Sequence, residues 1–308
     1  MSSNAAKSLP LSSDRRNSSL GLAAIALAAT LWAIAAIVAS NLFQGGVSPF
    51  ELTTARAVIA AIGLAIVYRM VQPSRQRMNW RILMLGLSLA IVTVTYYIAI
   101  SRLSVAVALV IQYTAPAIVV AIEAFKLRRI PPFVTVAAVI SVIAGVALLS
   151  GLGTSTLQVD SLGLLAAGLS ALAFCSCTLL SEAVVDTYGA IGVMYRAFLI
   201  SSLFWVAVQF SQGFPAAVFL PENILGILFV GIGGTLIPFC LMCWGIQQVR
   251  AERGAIAATL EPVIAAVLAW LWLGQTLSLA QMIGGILVIA AIASLQIHQA
   301  ARRSKSIG

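Results

Sequence analysis

The chain has 308 residues, of which 61% are hydrophobic and 9% charged, with a net charge of +9. A soluble domain has about 45–50% apolar and about 25% charged residues. This chain therefore cannot cover a water-facing surface, which excludes a soluble enzyme and a disordered protein alike, and an integral membrane protein is left. The basic excess forms no face or arm large enough for nucleic acid.

A membrane-spanning helix needs about 20 mostly apolar residues. Ten stretches qualify: 19–43, 49–70, 80–101, 104–125, 131–151, 161–184, 190–210, 222–246, 253–273 and 278–298. They predict an all-α membrane fold. The alternating ten-residue segments of a membrane β-barrel are missing. Residues 1–18 are Ser-rich and expected to be a disordered cytoplasmic tail. The first apolar run follows Arg15 and Arg16 but exceeds the roughly 7–15 residues of a signal peptide core, so it reads as a retained helix. Breaks are expected at Gly45–Gly46 with Pro49, Pro73, Pro131–Pro132, Gly151–Gly153, and Gly213 with Pro215 and Pro221. Trp80, Trp270 and Trp272 fall near predicted ends, where tryptophan anchors to the interface. Cys175, Cys177, Cys240 and Cys243 lie in apolar runs and read as small buried hydrophobes. Cys240 and Cys243 have CxxC spacing, but the single histidine, His298, is distant in sequence. No metal site, catalytic group or cofactor is expected.

Lys and Arg concentrate in alternate loops. The tails carry Lys7, Arg15, Arg16, Arg302, Arg303 and Lys305. The second, fourth and eighth loops carry Arg69, Arg75, Arg77, Arg81, Lys126, Arg128, Arg129, Arg250 and Arg253, whereas the odd loops have only Arg102. Basic residues mark cytoplasmic loops, so ten crossings with both termini cytoplasmic are predicted.

The chain also repeats itself. Residues 104–149 align on 250–295 at an offset of 146, matching Pro116 in "YTAPAIVVAIEAF" to Pro262 in "TLEPVIAAVLAWL". Residues 20–32 align on 162–174, so that Gly21 meets Gly163 and Trp32 meets Phe174. With a two-residue gap, Arg56 in "LTTARAVIA" meets Arg196 in "GVMYRAFLI". Two units follow, 19–151 and 161–298, with a basic tail at 299–308. Five helices is an odd number, so the second unit enters the membrane inverted. That is a transporter architecture, with a site near the midplane between the halves.

The 5+5 arrangement, the Arg early in helices 2 and 7, "YYIAISRLSVAVALVIQYTAP" into helix 4 and "RGAIAATLEPVIAAVLAWLWLGQTLS" into helix 9 resemble the drug/metabolite transporter superfamily, EamA type, over residues 20–297. The resemblance implies an exporter of amino acids, metabolites or drugs, with the aromatic and broad amino-acid exporters (YddG-type) as the nearest branch. Family members often carry Glu after the helix 9 "LG", where this chain has Gln275, and "KLRRIPP" after helix 4 also lacks an acid. No role is assigned to Gln275.

Several residues stand out inside the spans. Glu261 precedes Pro262, and an ionisable group in a span is a functional candidate. It could exchange a proton or face a substrate ammonium; its repeat counterpart is Ala115. Arg56 and Arg196 are candidates for a gate or a carboxylate clamp, against snorkelling to the interface. Pro116, Pro238 and Pro262 are expected to kink helices 4, 8 and 9 as hinges. "GIGGTLIP" follows no strand, so it is no nucleotide loop and reads as close helix packing. The expected cavity lining is Trp32, Thr93, Tyr96, Tyr97, Gln112, Tyr113, Trp244, Thr259 and Glu261, apolar with a few polar groups, as a site for an amphiphile should be. A highly charged substrate is disfavoured.

The expectation is thus a bacterial inner-membrane secondary transporter that exports amino acids by alternating access. Its partners would be amino acids and the lipid bilayer, with protons as candidate coupling ion and no nucleic acid. Export of drugs or other metabolites, a channel, a scaffold subunit and a membrane-embedded enzyme are the alternatives. An enzyme would need clustered catalytic groups, and ATP drive would need a phosphate-binding loop.

Overall fold

The structure is a computed structural model that describes residues 18–70, 76–103, 108, 111–128, 130–149, 160–273 and 278–305. Among the described residues there is no strand, and each of the ten predicted stretches contains helix. The elements are α1 Ser18–Gln44, α2 Pro49–Met70, α3 Trp80–Arg102, α4 Ala115–Leu127, α5 Phe133–Leu149, α6 Ser161–Gln212, a 3-10 turn Ala216–Phe219, α7 Pro221–Gly231, a π turn Ile232–Leu236, α8 Ile237–Val249, α9 Ala251–Ala258, α10 Leu260–Leu273 and α11 Leu279–Lys305. Five described helical segments are long and apolar enough to cross a membrane, among them Pro221–Val249 taken through its π turn. The chain is a multi-pass membrane protein.

Local chemistry explains the helix starts. At α2, Ser48 Oγ accepts from the Glu51 N–H and Glu51 Oε2 accepts from the Ser48 N–H, a reciprocal capping box. Pro49 follows at the first helical position, where its missing N–H costs nothing. Asn79 caps α3 by accepting from the Ile82 N–H. Asp160 caps α6 by accepting from Leu162 and Gly163, and it also pairs with Arg102 at 3.0 Å. The Arg102 guanidinium first, and then these two N–H groups, hold the Asp160 carboxyl below its usual range.

The structure departs from the expected elements in four places. Segments 161–184 and 190–210 form one run of helix, α6, bent only at Gly189 with φ 69° and ψ 157°. A residue without Cβ adopts that backbone at little cost, so one glycine replaces the expected loop. The eighth segment contains a π turn, closed by Thr235 Oγ1 donating to the Val230 carbonyl five residues back at 2.6 Å. The ninth segment is broken at Thr259, whose N–H and hydroxyl both donate to the Ile256 carbonyl. In the fourth, a turn at Tyr113–Thr114 precedes α4, and Thr114 donates to Ile111 in the same way.

The three prolines stand at these interruptions. Pro116 and Pro238 stand in the first two positions of α4 and α8, and Pro262 in the first turn of α10. Pro116 and Pro262 begin helices after a break, where proline is tolerated because the N–H would have no partner, whereas Pro238 follows the π turn inside the continuous run Pro221–Val249. Pro73, Gly151, Gly153, Gln275 and residues 1–17 lie outside the described residues, as do the side chains of Trp270 and Trp272. Trp80 is two-thirds exposed at the start of α3.

Helix packing follows the repeat. α1 packs on α8, and the first part of α6 packs on α3; α2 packs on α6, α4 on α9, and α5 on α11. Exchanging the two units maps the α1–α8 pair onto the α6–α3 pair and the α2–α6 and α5–α11 pairs onto themselves. The closest approaches agree: a Cβ on Gly21 would lie 2.5 Å from Gln248 Cβ, and one on Gly163 would lie 2.7 Å from Leu103 Cγ and 3.2 Å from Arg102 Cβ. Gly21 and Gly163 are repeat partners, and the offset of 146 also relates Arg102 and Leu103 to Gln248 and Val249.

Candidate functional site

Between the two units lies a cavity of about 610 Å³, its open mouth included. Its lining includes Trp32 from α1, Arg56 from α2, Thr93, Tyr96 and Tyr97 from α3, Gln112 and Tyr113 before the α4 break, and Glu261 after the α9 break. The structure thus brings together eight residues singled out in the sequence. Phe174, Phe239, Gly234, Val92, Ala35 and Ala36 complete the wall.

Arg56 is 8% exposed and held from three directions. Its Nε donates to Thr235 Oγ1 at 2.7 Å, Nη1 to Tyr97 Oη at 2.9 Å, and Nη2 to the Gly234 carbonyl at 3.4 Å. Its guanidinium also lies over the Tyr97 ring at 5.5 Å and the Phe239 ring at 5.8 Å, both favourable for a cation. The Gly234 carbonyl is the one that a residue other than proline at 238 would bond in an α-helix, so Pro238 frees an acceptor that Arg56 takes. Arg56 thus does not snorkel. A guanidinium has five N–H donors; three are used here, and one on each Nη remains. Among the described residues no carboxylate pairs with it.

Glu261 is partly exposed, in the first turn of α10. Its Oε2 accepts from Tyr113 Oη at 2.7 Å. The break at Thr259 is what allows Glu261 to stand at a helix start within the bundle. Acidic groups are stabilised there by the positive end of the helix dipole. Two further polar atoms on the wall, Tyr96 Oη and Gln112 Oε1, are buried without a hydrogen-bond partner among the described residues. Buried polar groups are nearly always satisfied, and unsatisfied ones call for an explanation.

Three predicted site residues lie elsewhere. Trp244 is 37% exposed: α8 turns Phe239, Met242, Cys243 and Ile246 inward, and a residue one step past Cys243 leaves that stripe. Thr259 is fully buried and closes the helix break through its hydroxyl, away from the cavity wall. Arg196 holds a different part of the molecule. It donates to Tyr68 Oη at 2.9 Å and to the Gln76 carbonyl at 3.3 Å, with its guanidinium 4.9 Å from the Tyr188 ring centre. Tyr188 Oη in turn donates to the Arg77 carbonyl at 2.7 Å. This clamp ties the corner at Gly189 to the connection between α2 and α3.

Phe174 and Phe239 were missed as lining residues, although the repeat pointed to both. Phe174 is the partner of Trp32, and Phe239 falls on Thr93 at the offset of 146. Trp32 packs edge-on against Phe239 at 5.2 Å and Phe174 at 6.4 Å, and these three rings form one wall of the cavity.

A multi-helix membrane protein with a polar, partly charged hollow between two related units is the architecture of a transporter. The comparisons with known proteins agree. The model of the EamA-like transporter family matches residues 19–151 and again 161–296, so the chain belongs to that family. It is similar to the inner membrane transporter YicL of Salmonella typhimurium, 24% identical over 282 residues, spanning 88% of this chain and 93% of that protein. It is also similar to the threonine/homoserine exporter RhtA of Escherichia coli, 27% identical over 266 residues, or 83% and 88% of the two chains. A solved crystal structure superposes with a TM-score of 0.73 at 22% identity, covering 92% of this chain and 98% of that one, a likeness of fold alone.

Proposed function

We propose that this protein is a secondary transporter that exports zwitterionic, amphiphilic amino acids across the bacterial inner membrane. The observation that carries this reading is the presence of Arg56 and Glu261 on one cavity wall. Ionisable side chains in a membrane interior are costly and are kept for function. The two free N–H groups of Arg56 suit a substrate carboxylate, and Glu261 suits an ammonium group. Tyr96 Oη and Gln112 Oε1 supply the partners that a polar substrate atom would satisfy. The aromatic wall of Trp32, Phe174 and Phe239 suits an apolar side chain. The likeness to an exporter of threonine and homoserine supports the same substrate class.

The cycle is alternating access between two inverted five-helix halves, with both termini cytoplasmic. The double family match, the exchange-symmetric packing and the basic loops support it. The breaks before α4 and α10, each begun by a proline, are the bending points. Energy comes from the substrate gradient or from proton exchange at Glu261. Counterflow in proteoliposomes tests the reading. Labelled L-threonine or L-phenylalanine entering vesicles should accelerate when the unlabelled compound waits inside. Flux of a whole amino-acid panel that neither saturates nor exchanges would refute it in favour of a channel.

A further inference from the structure

A second, much narrower hollow, about 300 Å³ with its open side included, lies beyond the aromatic wall and shares Trp32, Phe174 and Phe239 with the first. Its other lining residues include Cys177, Thr178, Ser181, Met194, Met242 and Cys243. The repeat relates part of the two linings. Continued four residues past its end, the alignment of 20–32 on 162–174 carries Trp32, Ala35 and Ala36 onto Phe174, Cys177 and Thr178. The offset of 146 carries Thr93, Tyr96 and Tyr97 onto Phe239, Met242 and Cys243. Every residue in these two sets lines one hollow or the other. At these positions the second hollow corresponds to the first under exchange of the units, whereas Arg196, Ala258, Thr259 and Ala115, the counterparts of Arg56, Gln112, Tyr113 and Glu261, do not line it.

The chemistry of the two differs. The tyrosines of the first hollow become Met242 and Cys243 in the second, and no charged residue lines the second. Thr178 spends its hydroxyl on the Phe174 and Cys175 carbonyls at 2.7 and 3.0 Å. Besides the Ser181 hydroxyl, which bonds the Cys243 thiol, what remains is a surface of thiol, thioether and aromatic groups, polarisable and adaptable. Such a surface accepts apolar matter of varied shape and offers no charge to a carboxylate or ammonium group.

Resting on the transporter reading above, we propose that the second hollow is the other chamber of the substrate route. It receives a large aliphatic or aromatic amino-acid side chain once Trp32, Phe174 and Phe239 part. Because the second chamber lacks counterparts to Arg56 and Glu261, it holds the zwitterion weakly, and the route has a tight station and a loose one. Side chains that fill it cross readily, whereas a zwitterion without an apolar part gains nothing there.

The native cysteines test this. Proteins keeping only Cys243, only Cys177 or only Cys175 are reconstituted and treated with a charged methanethiosulfonate, with and without L-phenylalanine. Cys175 is buried and off the chamber wall, and it serves as the control. The Cys243 and Cys177 proteins should react, lose L-phenylalanine exchange on reaction, and be protected by L-phenylalanine, while the Cys175 protein resists. Cys243→Ala together with Cys177→Ala should make exchange insensitive to the reagent. Should the reduced-cysteine proteins fail to fold, adducts on the unaltered protein, mapped by peptide mass spectrometry, must show the same order. Reactivity at Cys243 and Cys177 no greater than at Cys175, or modification that leaves exchange and protection unchanged, overturns the proposal. Absence of exchange for every amino acid before any reagent is added would instead remove the transporter reading, and the adduct pattern with L-phenylalanine would still report on the chamber.

Discussion

Replacing Glu261 with Gln removes one charge while keeping the shape of the wall. The Tyr113 hydroxyl still finds an acceptor, because the amide carbonyl can take the place of Oε2. What is lost is the charge offered to a substrate ammonium. A hydrogen bond to a charged group contributes about 1.5–3 kcal/mol, which corresponds to roughly 10- to 150-fold in affinity. The glutamine keeps an acceptor oxygen, so the lower end applies and half-saturation for L-threonine should rise about tenfold. The des-amino analogue, 3-hydroxybutyrate, has no ammonium group and should compete equally well in both proteins. Counterflow in proteoliposomes reads both constants. The same variant should flatten the pH dependence of exchange if Glu261 carries the coupled proton. An equal loss for the amino acid and its analogue would refute the assignment of Glu261 to the ammonium group, and an unchanged pH profile would remove it from coupling.

Four further outcomes are expected. Gly163→Val forces atoms into the 2.7 Å approach to Leu103, and overpacking of this kind costs about 1–3 kcal/mol, read as a lower Tm in detergent. Pro262→Ala lets α9 and α10 join through Thr259; it should slow exchange more than it changes half-saturation, and an equal turnover would remove the bending role. Arg196→Lys loses the planar fork that reaches both Tyr68 and Gln76, and protease cleavage of the connection between α2 and α3 should accelerate. Asp160 has a folded-state pKa below the value near 4 of an unperturbed carboxyl. Its contribution is therefore present above that value and lost as pH falls through the folded-state pKa, so acidification should lower the Tm of the unaltered protein more than that of Asp160→Asn.

Much of the fold was legible because membrane helices leave a coarse trace. Long apolar runs ended by glycine and proline located helix within all ten stretches, since lipid forbids unpaired backbone. The breaks inside spans were less visible. Nothing in "GAIAATLEP" distinguishes a bent helix from one closed by Thr259, because Thr bonding a backbone carbonyl occurs in straight helices as well. The prolines marked the interrupted spans, but the form of each interruption was not legible: a break before Pro116 and Pro262, a π turn before Pro238. The cavity wall was legible where polarity was unusual, as for Arg56, Tyr97 and Glu261. Phe174 and Phe239 look like any core aromatics until the repeat is used. Trp244 and Thr259 were misplaced because a helical wheel drawn from apolar sequence has no contrast between the inward and the lipid-facing side.

The three rings of the aromatic wall also bear on the membrane's electrical insulation. Trp32, Phe174 and Phe239 form a stretch with little to offer a water molecule, and apolar constrictions of this kind dry out. A broken file of water cannot relay hydrogen ions by hopping. On the proposed reading, in which a substrate must part the rings to pass, a cell expressing the protein abundantly should thus keep its voltage. Trimming Phe239 to alanine would turn the same route into a short circuit.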